Sequence, residues 1–155
     1  MASTVTASTM TVTISESITL NGKNQGGTQT LSIPSIATVS RRIIDVPASE
    51  VEILAMSTAV AAGTFIESDV LYIRITNLDD TNHVTLLFKN ENNDEFAVKL
   101  DKGQTFIYNG DLSGGVVDTM DADSSALTVG LGDLVNITAT ADTAACDVEV
   151  FVACK

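Results

Sequence analysis

Residues 70–100 read VLYIRITNLDDTNHVTLLFKNENNDEFAVKL, three short alternating runs separated by two polar turns. Leu71, Ile73 and Ile75 alternate with Tyr72, Arg74 and Thr76. Val84, Leu86 and Phe88 follow the turn at residues 79–82, and Phe96, Val98 and Leu100 follow the turn at residues 90–94. Period-two alternation bounded by Asn and Asp clusters predicts an antiparallel meander with one buried face.

The rest of the chain repeats this grammar. Strands are predicted over residues 10–20, 28–33 and 36–46, with Pro34 ending the second because it cannot donate to a ladder. Residues 51–57 alternate as a strand, although Ser49 and Glu52 form a capping-box pattern and Ala59 to Gly63 resembles a helix ending in glycine. Residues 58–63 are read as a loop with room for a turn of helix. Further strands are expected at residues 105–108 and, briefly, 126–129. Residues 134–141 and 146–153 are expected to close the fold as a hairpin. Asn109–Gly110 predicts a turn, since both residues tolerate positive φ. The loop at residues 21–27 combines glycines with Lys23, but the phosphate-loop spacing is absent and no helix follows, so it reads as a plain turn. Many short strands with frequent turn signals predict an all-β fold, an antiparallel β-sandwich or jelly roll. It would span residues 10–155 as a single domain, with residues 1–9 as a flexible N-terminal arm.

Charge narrows the partners. Twenty acidic residues face eight basic ones, a net charge of −12, which repels phosphate backbones and anionic headgroups. Neither nucleic acid nor membrane is expected as a partner; proteins, cations or basic surfaces are. No run of about 18 uncharged apolar residues is present, so no spanning helix is expected. Residues 1–9 lack a basic start and an apolar stretch, so no secretory signal is expected. With 5% aromatics and no Trp, the core should be mostly Val, Ile, Leu and Ala.

Candidate chemistry is sparse. Cys146 and Cys154 share one parity of the last strand, eight residues apart, which is about 26 Å at ~3.3 Å per residue. They cannot pair within one straight strand and are read as core-facing free thiols. Together with the lone His83 they fall short of a four-ligand metal site. His83 follows Asp79 and Asp80, a pairing that could tune an imidazole, but no Ser or Cys nucleophile lies nearby, and a structural turn is expected. Asp118, Asp121 and Asp123, with Ser124 and Ser125, supply oxygens in one loop, yet the EF-hand glycine and closing Glu are missing. A solvated acidic loop is expected. Arg41 and Arg42 are adjacent and must point to opposite faces of a strand, one toward an acidic neighbour or an interface, or both at a rim. Asn136-Ile137-Thr138 is a glycosylation sequon placed mid-strand and is disregarded. No catalytic residue, cofactor or metal is assigned, and no enzymatic activity is expected.

The run at residues 72–82 (YIRITNLDDTN), the step at residues 96–106 (FAVKLDKGQTF) and the closing residues 141–151 resemble virion structural proteins of tailed phages of the marine and cyanobacterial type. The resemblance covers about half the chain. It implies a β-sandwich in a viral particle, most like a capsid decoration (cement) protein that binds the outer capsid surface and stabilises the head. The implied partners are the major capsid protein and copies of itself, as a homotrimer. The implied location is the capsid surface, after synthesis in the host cytoplasm. A tail, fibre or head–tail connector component is the alternative within that class. A calcium- or carbohydrate-binding β-sandwich module is the alternative outside it, although Tyr72 and Tyr108 alone make a poor sugar platform.

Overall fold

The computed structural model describes residues 4–122 and 130–155. The first three residues of the expected arm, the expected strand at 126–129, and Asp123, Ser124 and Ser125 of the acidic loop lie outside the described residues. Thr-, Val- and Ile-rich alternation gives strands throughout. In chain order these are β1 (Ser8–Ser15), β2 (Thr19–Leu20), β3 (Lys23–Asn24), β4 (Thr28–Ile36), β5 (Thr38–Val46), β6 (Val51–Ser57), β7 (Thr64–Ile66), β8 (Val70–Asn77), β9 (Val84–Asn90), β10 (Glu95–Leu100), β11 (Thr105–Asn109), β12 (Leu134–Ala141) and β13 (Cys146–Cys154). A 3-10 turn at Glu67–Asp69 leads into β8.

Two sheets form the sandwich. One has the order β11-β8-β13-β5 and the other β10-β9-β12-β6-β7. All pairings in them are antiparallel except β6 with β7. Inward residues of both sheets, among them Val46, Ile73, Ile75, Val148 and Val150 against Ile53, Leu86, Phe88 and Ile137, join in one buried cluster. The core is not purely aliphatic. Phe88 is fully buried and stacks on Phe96 at 4.7 Å, with Phe106 and Tyr108 within 5.8 Å. Such ring groups add about 0.5–1.5 kcal/mol per pair beyond area burial.

The expected meander over residues 70–100 is not formed. β9 and β10 pair as expected, with Phe96 opposite Phe88, but β8 lies in the other sheet between β11 and β13. Asn77, wholly buried, makes this crossing. Its Nδ2 donates to the carbonyls of Asn82 at 2.9 Å and Leu100 at 3.2 Å, and its Oδ1 accepts the Asp79 N–H at 3.0 Å. The expected closing hairpin is likewise absent, because β12 and β13 belong to opposite sheets. Alternation specifies which face of a strand is buried and says nothing of which strand lies beside it.

Pro34 does not end its strand. β4 runs through it to Ile36, and the pairing with β1 slips between Ser8 and Met10 at the same level. Ser35 there has φ 64°. A bulge absorbs the missing donor. Ser8 and Thr9, assigned to the arm, are in β1, and the strand expected over 10–20 breaks after Ser15. At Asn109–Gly110 the expected positive φ is not adopted. Gly110 is needed because a Cβ there would sit 2.2 Å from the Val70 carbonyl oxygen.

Candidate interaction surface

β1 and β4 belong to neither main sheet; they form a two-stranded ribbon of their own. Its far end is a tight hairpin in which Asn21 (φ 51°) and Gly22 (φ 75°) join β2 to β3. Two successive positive φ values are the geometry whose twist matches a two-residue hairpin. The loop read as a plain turn around Lys23 is this tip.

The ribbon is amphipathic by register. Met10 faces Ile33, Val12 faces Leu31 and Ile14 faces Gln29 on one side; Thr11 faces Ser32, Thr13 faces Thr30 and Ser15 faces Thr28 on the other. Ser15 Oγ and Thr28 Oγ1 lie 3.1 Å apart. The proximal apolar half packs on the outer face of the four-stranded sheet, where Ile33 and Ile36 bury Leu71, Tyr72 and Ala153, flanked by Phe151 and Ile107. The distal half is uncovered: Ile14, Ile18, Leu20 and Leu31 are 40–54% exposed. Grooves of about 270 and 390 Å3 flank the ribbon, and both are lined in part by Tyr72. From Ser8 to Ile36 the only charged residues are Glu16 and Lys23. Residues 1–44 hold one acid, Glu16, against three bases, Lys23, Arg41 and Arg42, a net +2, so the remainder of the chain carries a net −14. A sparsely charged, half-apolar ribbon with no net charge thus stands on a strongly acidic body.

Beside the ribbon, the two adjacent arginines separate as their parity requires. Arg41 lies on the outer face, with its Nε 2.8 Å from Glu149 Oε2, and Arg74 reaches Glu149 Oε1 at 2.6 Å. Glu149 is buried, and hydrogen bonds from Arg41 and then Arg74 hold its carboxyl below the ordinary value. Arg74 also lies 5.6 Å from the centre of the Phe151 ring, within cation–π range. Arg42 takes the inner face of β5 beside a cavity of about 340 Å3 lined by Ile53, Leu54, Phe65 and Val150 among others.

The remaining candidates resolve into structure. Asp79 does not face His83: its carboxylate accepts the N–H groups of Thr81 at 2.7 Å and Asn82 at 2.6 Å, which lower its pKa. His83 Nδ1 instead lies 3.5 Å from Asp142 Oδ2. Cys146 and Cys154 are buried free thiols; burial, then Asp69, pushes the Cys154 thiol up to about 11. Asp118 donates its N–H to Asp133 Oδ1 at 2.8 Å. Among the described residues no three His, Cys, Asp or Glu converge in a way that could hold a metal. Asn136 donates to Glu52 at 3.2 Å within β12.

Sequence reasoning missed two features. Glu67 is buried, and its carboxyl is raised by burial and then by the charges of Asp133 and Glu91; nothing in the spacing of these three residues signals their meeting. The ribbon did leave a signal. Asn21–Gly22 between Thr19–Leu20 and Lys23–Asn24 is a hairpin pattern, hidden by reading the glycines after it as one loop. The chain matches no protein-family profile and no curated protein sequence.

Proposed function

We propose that this chain is a non-enzymatic structural protein of a tailed-phage virion, a capsid decoration protein that grips the outer capsid surface through its ribbon. The observation that carries the docking role is the uncovered apolar half of the β1–β4 ribbon, in a stretch holding only one acid and one base. A surface with so little charge docks without stripping water from ions, and each apolar Å2 removed from water contributes about 25 cal/mol. The affinity follows from a few well-buried anchors more than from area. Ile14, Ile18, Leu20 and Leu31 are the available anchors. The acidic body then faces outward, where its charge keeps many copies hydrated and mutually repelled. The resemblance at residues 72–82 and 96–106 supplies the particle; the ribbon supplies the mode of attachment.

Quantitative mass analysis of purified particles tests this reading. A decoration protein is present in hundreds of copies per particle; a few copies per particle would place the chain in a tail or connector and overturn it.

A further inference from the structure

The four-stranded sheet has two edges, β11 of five residues and β5 of nine, and β5 is the long one. Its pairing with β13 runs from Thr38 to Val46 without a bulge, and it contains no proline. Natural edges are normally short, bulged, interrupted or charged, because a long flat edge is a template for another strand; β5 is guarded only by its charges, Arg41, Arg42 and Asp45, and a second copy of the same edge can neutralise Arg41 and Asp45. On its outer face β5 presents Val39, Arg41, Ile43 and Asp45, and Ile43 is 59% exposed. Asp45 lies directly opposite Asp147 of β13. Neither carboxylate has an ion pair or side-chain hydrogen bond among the described residues, and like charges directly opposite destabilise a sheet. The edge therefore has, among the described residues, backbone groups with no strand beside them, an exposed isoleucine and two solvent-exposed carboxylates facing each other without a cation between them.

We infer that two copies of this chain join through their β5 edges, antiparallel and centred on Ile43, so that two four-stranded sheets become one continuous sheet across a two-fold axis. This register is self-complementary. Ile43 meets the partner's Ile43, Arg41 meets the partner's Asp45, and Asp45 meets the partner's Arg41. Each Asp45–Asp147 pair thereby comes to face the other copy's Arg41, whose Nε and Nη2 hold Glu149 and whose remaining N–H groups are left for Asp45. Centring on Arg42 or on Ile44 would instead set Arg41 or Asp45 opposite Ile43 and lose both ion pairs. On the inner face Arg42, beside the cavity between β5 and β6–β7, meets the partner's Ile44. The contact is isologous, as two-fold dimers require, and its main-chain pairing is strand addition. It stands independently of the ribbon's docking role, and it replaces with a two-fold the three-fold symmetry that the resemblance implies.

The test is the solution mass of the full chain, at micromolar concentration, with two variants. Wild type should run at twice the 16.2 kDa chain mass. Asp45→Arg should halve that mass while the chain still melts cooperatively, at a temperature no longer dependent on protein concentration. Ile43→Cys at this exposed position should form a disulfide-linked dimer under mild oxidation, because residues directly opposite in antiparallel strands have Cα atoms within disulfide reach. Val39→Cys, whose own copy lies far away in this register, should not. A wild type at single-chain or three-chain mass overturns the inference, as does an Asp45→Arg chain that keeps the double mass or a Val39→Cys chain that links as readily as Ile43→Cys.

Discussion

Glu149 and Glu67 are both buried carboxyls, and their neighbours push them in opposite directions. Glu149 is held below its ordinary value of 4.5 by hydrogen bonds from Arg41 and Arg74. A carboxyl lowered in the folded state contributes stability that is present above the unfolded value and lost as pH falls through the folded one. Glu149→Gln should therefore destabilise the fold at neutral pH by about 1–2 kcal/mol, after discounting for the exposure of Arg41, and lower the melting temperature accordingly. The loss should shrink as acid protonates the wild-type carboxyl, which a melting series against pH would show. Glu67 is raised above 4.5 by burial, then by Asp133 and Glu91. Its contribution is full below 4.5 and is lost as pH rises through the folded value. Glu67→Gln should therefore raise the melting temperature at neutral pH and leave it nearly unchanged in acid. A lower neutral melting temperature would contradict this account of the Glu67 environment.

At the scale of elements, a buried asparagine turns the chain from one sheet to the other. Asn77 satisfies the Asn82 and Leu100 carbonyls and the Asp79 N–H where β8 ends. Asn77→Ala should cost about 1–3 kcal/mol for the Leu100 carbonyl left buried and unpaired, and less for the half-buried Asn82 carbonyl and Asp79 N–H, measurable by denaturant unfolding. A change within a few tenths would mean that water replaces the side chain without penalty. This corner also explains what was legible. The strand at Val51–Ser57 was readable to the residue, because Val51, Ile53 and Ala55 alternate with Glu52, Leu54 and Met56 in sequence, although Ile53 and Leu54 are both buried. The partner of β8 was not readable, because Leu71 to Ile75 alternate the same way beside β9 as between β11 and β13. Pairing across residues 72 and 153 depends on the whole core. Pro34 misled for a related reason: a lost donor forbids a regular ladder, and the bulge opposite it was invisible until β1 was in place.

The whole molecule divides by charge: its N-terminal 44 residues carry a net +2 and the rest a net −14. The sandwich was expected from turn spacing and is the fold observed. The candidate surface was foreseen only as a loose arm over residues 1–9, whereas the apolar strip lies at Ile14, Ile18, Leu20 and Leu31 of an ordered ribbon. Ile14 and Leu31 border the groove against Tyr72 and Ile107, whereas Ile18 and Leu20 are half exposed and outside both core clusters, so the role of these two separates from folding. The most direct measurement compares Ile18→Asp/Leu20→Asp with wild type, reading the melting temperature of the free chain and its binding to particles stripped of it. The proposal predicts an unchanged melting temperature, within the ~0.5 kcal/mol expected of surface substitutions, and at least a tenfold loss of binding, about 1.4 kcal/mol. Wild-type binding by the doubly substituted chain would contradict it.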